Sequence, residues 1–239
     1  MTEQNRKYDI LLFDADGTLY DFAETEKNSI KWTWEQYGIP LNDETRGCFK
    51  KYNTKAWGMI EAGTLTIEEL KSIRFKWTFE ELGLNIDTKQ FAEDFMINTG
   101  KTGVLFDGAL NLLRELKNRG YKIYIVTNGI GKVQHSRFEK PETQQIYSGI
   151  FCGEDLGVSK PQKEFFMKVF EKIGVTEEEA RSRCIVVGDS LTSDIQGGIN
   201  AGLDTIWYNP AGKNSEKVTP THIVSDYSQI LALLGPLQE

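Results

Sequence analysis

Residues 7–19, KYDILLFDADGTL, indicate most clearly what kind of fold this chain adopts. The run from Lys7 to Asp14 is short, apolar and rich in strand-forming residues, and the turn-forming pair Asp16-Gly17 ends it. Such a pattern is typical of a buried strand followed by a loop. We therefore expect the carboxylates of Asp14 and Asp16 at the carboxyl end of a buried strand.

Helices and strands alternate in the second half of the chain. The strands are predicted at 121–127, 150–153, 183–189, 203–208 and 222–224, and the helices at 107–119, 161–173, 191–201 and 226–234. Pro161 suits the first turn of its helix, and Gly197 and Gly198 suit close packing of a helix on the sheet. The alternation predicts an α/β fold, a doubly wound, Rossmann-like parallel sheet with helices on both faces.

The segment from residue 19 to residue 103 has a different character. Amphipathic helices are predicted at 22–37, 42–55, 66–82 and 88–98. Four of the five tryptophans lie here, namely Trp32, Trp34, Trp57 and Trp77. We interpret these aromatic residues as the core of a helical bundle, with the alternative that one or two stack on a substrate. Residues 1–18 and 104–239 are then one α/β domain, into which residues 19–103 are inserted as a helical domain.

Composition excludes several classes of protein. The 239 residues carry a net charge of -7, which disfavours a nucleic acid polymer as partner. Three distant cysteines (Cys48, Cys152 and Cys184) and only two histidines argue against a disulfide framework and against a cysteine or multi-histidine metal site. His135 is interpreted as a surface residue and His222 as structural. Without a long apolar run or a secretory signal, we expect a cytoplasmic protein with no membrane partner.

Polar groups follow the predicted strands where each strand ends. They are Thr127-Asn128-Gly129, Ser159-Lys160-Pro161 and the stretch GDSLTSD at residues 188–194. Each could be an ordinary turn or a solvated charge, Asp194 included. Sites in open α/β sheets nevertheless lie at the carboxyl ends of strands, so we expect Asp14, Asp16, Asp189 and Lys160 to converge. Converging carboxylates need a cation, and Mg²⁺ is the natural candidate because it takes oxygen ligands.

Four motifs together resemble the haloacid dehalogenase superfamily of phosphotransferases. They are D-x-D-G-T-L at 14–19, hydrophobic-T-N at 126–128, K-P at 160–161 and G-D-S-x-x-S-D at 188–194. The helical insertion resembles the cap of the first subclass. The stretch GDSLTSDIQGGINAGLDTIWYNP at 188–210 is further similar to the bacterial pyrimidine 5′-nucleotidase branch. The resemblance implies a Mg²⁺-dependent phosphomonoesterase whose substrate is a small phosphate ester, a pyrimidine nucleoside 5′-monophosphate.

The resemblance also implies roles for the motif residues. Asp14 is expected to be the nucleophile that forms an aspartyl-phosphate, and Asp16 the general acid and then base. Lys160 would offset negative charge on the nucleophile and on the transferring group. Asp14 and Asp189 would hold the metal with their carboxylates, and Asp16 with its backbone carbonyl.

Further residues are expected to bind phosphate or substrate. The Thr127 side chain and the backbone amides of Asn128 and Gly129 would hold phosphate oxygens. Asp194 would orient the metal ligands or Lys160. Three aromatic residues are candidates for stacking on the leaving group: Tyr20, Phe22 and Trp57.

Two kinds of alternative function stay open. A phosphosugar phosphatase or mutase, or a phosphoglycolate-type phosphatase, would use the same core. A non-catalytic phosphate-sensing protein would also place acidic residues and a lysine on a parallel sheet, but would be about half this length. A dehalogenase is disfavoured because it needs neither Asp16 nor a metal.

Overall fold

The computed structural model describes residues 7–235, and residues 1–6 and 236–239 of the predicted α/β domain lie outside this range. The strands are β1 (Ile10–Phe13), β2 (Lys122–Thr127), β3 (Gly149–Cys152), β4 (Cys184–Gly188), β5 (Asp204–Tyr208) and β6 (His222–Val224). The helices are α1 (Phe22–Gln36), α2 (Asp43–Glu61), α3 (Ile67–Leu82), α4 (Thr88–Lys101), α5 (Ala109–Asn118), α6 (Gly131–Phe138), α7 (Gly153–Leu156), α8 (Lys163–Ile173), α9 (Glu177–Arg183), α10 (Gln196–Asn200) and α11 (Tyr227–Leu234).

The six strands form one parallel sheet in the order β3-β2-β1-β4-β5-β6, which confirms the predicted fold class. From β1 the chain builds outward through β2 and β3, and then returns to place β4 on the other side of β1. A crevice opens beyond the carboxyl ends of the strands at such a reversal. The residues that follow β1 and β4 therefore flank this crevice.

Successive side chains of the central strands point to opposite faces of the sheet, as the two-residue period of a strand requires. Leu11 and Phe13 of β1 belong to a buried cluster that includes leucines of α5 and α11. Ile10 and Leu12 belong to a second cluster that includes phenylalanines of α8. Because both faces are covered, β1 is apolar throughout.

The chain divides into two compact units. Within the described residues, the first unit comprises 7–21, 105–131 and 138–235, and the second comprises 22–104 and 132–137. Leu19 and Tyr20 were expected in the helical insertion, but both are buried in the core of the first unit. The first crossing between the units therefore comes after Asp21.

An aromatic core holds the helices of the second unit together. It contains Trp34, Phe49, Phe75, Phe79, Phe91 and Phe95. The rings of Phe49 and Phe75 stack with centroids 5.4 Å apart. Reciprocal capping at Asn42 with Thr45, and at Thr66 with Glu69, fixes where α2 and α3 begin. The four helices predicted here are confirmed. Of the four tryptophans expected in this core, Trp34 is buried in it, whereas Trp32 is exposed and Trp57 and Trp77 are half-buried.

Two helix predictions in the first unit need correction. Pro161 does not open a helix: it follows a cis peptide bond, and α8 begins at Lys163. The Asn128 side chain bonds both the N–H and the C=O of Lys160, which holds the backbone in a loop at this point. The helix predicted at 191–201 opens with a π-helical turn over Leu191–Ile195, and α10 follows. Helices α6, α7 and α9 were not predicted.

The glycine and cysteine interpretations can be compared with the packing. A Cβ on Gly198 would lie 2.6 Å from Thr205 Cγ2 on β5, so this glycine permits close packing on the sheet, as predicted. The three cysteines are buried and unpaired. Among the described residues, no helix has the length and apolar character needed to cross a membrane.

Candidate active site

Carboxylates from two distant segments of the chain meet at the carboxyl edge of the sheet. Asp14 follows β1, Asp189 follows β4 and Asp194 lies in the π-helical turn. Their carboxylates each offer an oxygen within 4.8 Å of the others. We expected the carboxylates of Asp14, Asp16 and Asp189 to converge; the structure groups those of Asp14 and Asp189 with Asp194, and not with Asp16.

Lys160 joins two of these carboxylates. Its side chain is only 1% exposed, and its Nζ lies 2.8 Å from Asp14 Oδ1 and 2.6 Å from Asp194 Oδ1. The ammonium also donates to the backbone carbonyl of Val126, at 2.7 Å. All three donor positions of the ammonium are used, so it is fixed against Asp14.

The charges of this cluster do not balance. Three carboxylates face one ammonium, which leaves an excess of two negative charges when all are ionised. Burial raises the pKa of Asp14 well above its usual range, and Asp194 and Asp189 raise it further while Lys160 opposes them. Burial, and then Asp194, raises the pKa of Asp189 to about 6. For Lys160 burial lowers the pKa, but the two carboxylates outweigh it and raise the pKa overall.

The loop after β1 is shaped around Asp14 and Asp189. The Asp14 N–H donates to Val187 of the neighbouring strand, and the Thr18 hydroxyl donates to Asp14 Oδ2 at 3.3 Å. Gly17 has a φ of 91°, and a Cβ there would lie 2.6 Å from the carboxyl group of Asp189. Glycine is therefore required both by the backbone and by the close approach of Asp189.

Asp16 begins the turn in this loop. Its side chain is half-buried, and its backbone pairs with Tyr20. The Asp16 carboxyl does not belong to the group formed by Asp14, Asp189 and Asp194. Asp14 therefore contacts the lysine, whereas Asp16 lies on the turn that follows the strand.

The Asn128 side chain forms two hydrogen bonds with the loop that carries Lys160. Its amide nitrogen donates to the Lys160 carbonyl at 2.8 Å, and its oxygen accepts from the Lys160 N–H at 2.8 Å. The Gly129 N–H donates to the Thr127 hydroxyl oxygen at 2.9 Å. We expected a role only for the backbone amide of Asn128, and no local pattern in the sequence indicates this contact between side chain and backbone.

Asp194 is held from both sides. Its Oδ1 accepts from Lys160, and its Oδ2 accepts from the Ser190 N–H at 3.0 Å. The Ser190 hydroxyl in turn accepts from the Ser193 N–H. Both carboxylate oxygens are thus engaged, so Asp194 orients Lys160 in this structure.

The three aromatic candidates differ in their surroundings. Tyr20 is 1% exposed and packs edge-on against Phe138, with ring centroids 5.1 Å apart. Its burial in the core leaves no ring face for a substrate, so a stacking role does not fit its placement. Phe22 begins α1 and Trp57 lies on α2, both half-buried in the second unit.

Thr18 and the main-chain carbonyl of Val126 were missed as contributors to the site. Thr18 stands inside the D-x-D-G-T-L motif and carries a hydroxyl beside a carboxylate, which was a usable signal. The Val126 carbonyl carries no signal in the sequence. The indole N–H of Trp207 donates to the Asp189 carbonyl at 2.8 Å, and nothing local to residue 207 indicates this contact.

The site is thus a buried lysine among three carboxylates at the carboxyl edge of a doubly wound parallel sheet. The model of the haloacid dehalogenase-like hydrolases matches residues 8–202, and the chain belongs to this family. The expectation of a phosphatase-type hydrolase of this superfamily is confirmed at that level.

Three relatives are similar over nearly the whole chain. The HAD-hydrolase YfnB of Bacillus subtilis is 34% identical over 96% of this chain and 97% of its own. The pyrimidine 5′-nucleotidase PynA of Streptococcus pneumoniae is 32% identical over 95% of both chains. The pyrimidine 5′-nucleotidase YjjG of Escherichia coli is 31% identical over 95% of this chain and 98% of its own.

YfnB also has a similar solved structure. Its orthorhombic crystal form superimposes with a TM-score of 0.85, at 34% identity, over 95% of this chain and 98% of that chain. That structure is bound to magnesium and reveals interdomain movement in YfnB.

Proposed function

We propose that the protein is a Mg²⁺-dependent phosphatase that hydrolyses pyrimidine nucleoside 5′-monophosphates through an aspartyl-phosphate on Asp14. The observation that carries this proposal is the cluster in which Lys160 bridges Asp14 and Asp194 beside Asp189. At one edge of the sheet, this cluster provides the Asp14 carboxylate in a fixed orientation, the ammonium of Lys160 and an excess of negative charge. The two pyrimidine 5′-nucleotidases among the relatives support the choice of substrate.

The donor set fits a magnesium ion. The excess of two negative charges matches a divalent cation, and carboxylate oxygens are ligands that Mg²⁺ prefers. The missing side chain of Gly17 leaves the Asp189 carboxyl close to the backbone of the Asp14 loop. Asp14 and Asp189 would hold the ion with their carboxylates and Asp16 with its backbone carbonyl. When bound, Mg²⁺ would neutralise charge on the phosphoryl oxygens.

In the first step, an Asp14 carboxylate oxygen attacks phosphorus and the bond to the ester oxygen breaks. Asp16 donates its proton to that oxygen, and the nucleoside leaves as an alcohol. Lys160 stabilises the negative charge that Asp14 and the phosphoryl group share during the transfer. Thr127, with the backbone amides of Asn128 and Gly129, would bind the phosphoryl oxygens once substrate enters, and the Gly129 N–H would then exchange its bond to the Thr127 hydroxyl for one to phosphate.

In the second step, Asp16 takes a proton from water, and the water oxygen attacks phosphorus. The bond between Asp14 and phosphorus breaks, which releases inorganic phosphate and regenerates the Asp14 carboxylate. Asp16 is thus protonated again for the next cycle. The Thr18 hydroxyl, which donates to Asp14 Oδ2, keeps the carboxylate in one orientation through both steps.

The second unit is proposed as the cap that selects the leaving group, with Phe22 and Trp57 as candidates for stacking on the base. Both are aromatic and half-buried, so each has ring surface available. The interdomain movement seen in YfnB supports a mobile role for the corresponding unit. We place the reaction in the cytoplasm, where the three unpaired cysteines would stay reduced.

A substrate panel tests the proposed function. UMP, dUMP and dTMP are compared with AMP, glucose 6-phosphate and p-nitrophenyl phosphate, with Mg²⁺ present, by release of inorganic phosphate. We expect kcat/KM for the pyrimidine nucleotides to exceed that for AMP and for the sugar phosphate by at least about tenfold. A preference for the sugar phosphate would reject the nucleotidase assignment, and no release from any ester would reject the phosphatase.

Chelation tests the metal separately. EDTA should abolish phosphate release, and excess Mg²⁺ should restore it, because the carboxylates repel one another and the phosphate without a divalent cation. A melting curve recorded with EDTA is the control for loss of the fold. Activity that survives complete chelation would remove magnesium from the proposal.

A further inference from the structure

A tyrosine from the last helix reaches the loop that carries the nucleophile. Tyr227 begins α11, and its hydroxyl donates to the backbone carbonyl of Thr18 at 2.7 Å. The two residues are 209 positions apart in the chain. Thr18 is fully buried, and its own hydroxyl donates to Asp14 Oδ2. A chain of two hydrogen bonds therefore connects α11 to the carboxylate of Asp14.

Tyr227 is itself held in place. Its ring stacks on Tyr208, the last residue of β5, with centroids 5.0 Å apart and 10° between the ring planes. The Asp226 side chain caps the start of α11 by accepting from the N–H groups of Ser228 and Gln229. Burial, and then Tyr208, raises the pKa of Tyr227, so the phenol stays protonated and remains a donor.

The turn around Thr18 is closed by hydrogen bonds of its own. Within it, the carbonyl of Ala15 accepts from Leu19 and Tyr20, and the Gly17 N–H donates to Tyr20, which closes the turn on itself. Two hydrogen bonds tie this turn to residues outside it: the Phe106 N–H donates to the Leu19 carbonyl, and the Tyr227 hydroxyl donates to the Thr18 carbonyl, next to the hydroxyl that contacts Asp14. A shift of about 1 Å in a group next to the reacting atoms is enough to slow a reaction markedly.

We propose that Tyr227 is a positioning residue for phosphoryl transfer, which fixes Thr18 and through it the orientation of Asp14. This inference rests on the proposed role of Asp14 as nucleophile. Removal of the Tyr227 hydroxyl should slow the chemical step and leave binding of substrate nearly unchanged.

The test compares Tyr227→Phe with Tyr147→Phe. Tyr147 is a matched control, since its half-buried hydroxyl also donates to a backbone carbonyl, that of Phe138, at 2.6 Å. In Tyr227→Phe we expect kcat to fall about five- to tenfold, the effect of one lost positioning hydrogen bond, while KM stays within about twofold. Tyr147→Phe should keep the wild-type kcat at a similar melting temperature.

A double-mutant cycle with Thr18→Val separates positioning from general destabilisation. Valine keeps the backbone carbonyl that Tyr227 binds, but removes the hydroxyl that contacts Asp14. If Tyr227 acts through that hydroxyl, the double variant is no slower than Thr18→Val alone. The inference would be overturned if the losses in kcat of the two single variants multiply in the double variant. Equal losses in kcat in Tyr227→Phe and Tyr147→Phe would overturn it as well. A wild-type enzyme inactive on every ester would instead overturn the proposed function.

Discussion

At the scale of single residues, Lys160 dominates the electrostatics of the site. The buried ammonium and the two carboxylates beside it stabilise one another. Removal of any one of the three leaves a buried charge without its partner. The lysine therefore has a structural role in the free protein as well as its proposed role in transfer. Substitution of a group in this cluster should change stability and activity together.

Lys160→Met is expected to abolish activity and to lower the free energy of unfolding by about 3–5 kcal/mol, because it leaves two buried carboxylates unpaired. Adding Asp194→Asn should recover part of the lost stability by removing one charge. Urea denaturation measures both effects. Lys163→Met is the control, since Lys163 pairs with Glu177 at an exposed site and should cost about 0–1 kcal/mol. Equal losses in the two single variants would contradict this account.

At the scale of elements, the turn after β1 depends on a glycine. Gly17 combines a positive φ with the close approach of Asp189, and these two requirements can be separated by experiment. Gly157 also has a positive φ, of 68°, but a Cβ there would meet nothing within 4 Å. The two positions share the backbone strain and differ in the clash.

Gly17→Ala should therefore reduce activity at least about tenfold and weaken Mg²⁺ binding, because the new methyl group displaces Asp189. Gly157→Ala should lose a similar amount of stability to the positive φ and keep its activity. Phosphate release and Mg²⁺ titration calorimetry measure the two effects. A Gly17→Ala enzyme with wild-type kcat and Mg²⁺ affinity would show that the glycine serves the turn alone.

The elements also show what the sequence could predict. The strands and the first four helices follow from apolar periodicity and capping residues, which are local signals. Helix α9 had such a signal in the reciprocal cap between Thr176 and Glu179, and it was overlooked. The π-helical turn at Leu191–Ile195 had none, because Asp194 is held there by Lys160, from a distant part of the chain.

At the scale of the whole molecule, the convergence of the motifs at one edge of the sheet was predictable, but the hydrogen bonds that connect them were not. Because parallel strands end at one edge, Asp14 and Asp189 had to approach each other once the α/β pattern was recognised. The contacts of Asn128 with Lys160, and of Tyr227 with Thr18, join residues 32 and 209 positions apart. They depend on the tertiary structure, which no local pattern specifies.

The stability of the whole metal-free protein should depend on pH through this cluster. In the folded protein the pKa of Asp189 is raised from 3.8 to about 6. The stability that the protonated Asp189 side chain contributes is therefore fully present below about pH 4 and is lost as the pH rises through 6. Mg²⁺ should therefore raise the melting temperature more at pH 7 than at pH 5, because at pH 5 it must displace a proton. Asp189→Asn is the control and should flatten this difference. Equal Mg²⁺ stabilisation of the wild-type protein at both pH values would contradict the prediction.

The most direct measurement is the turnover of UMP by Asp14→Asn, with Mg²⁺ present, beside the wild-type enzyme. The substitution keeps the size of the side chain and removes the nucleophilic carboxylate. We predict a loss in kcat of at least about 10³-fold, with circular dichroism and cooperative melting retained. A folded Asp14→Asn enzyme that retains kcat within about tenfold of the wild type would contradict the account, because phosphoryl transfer would then not depend on Asp14.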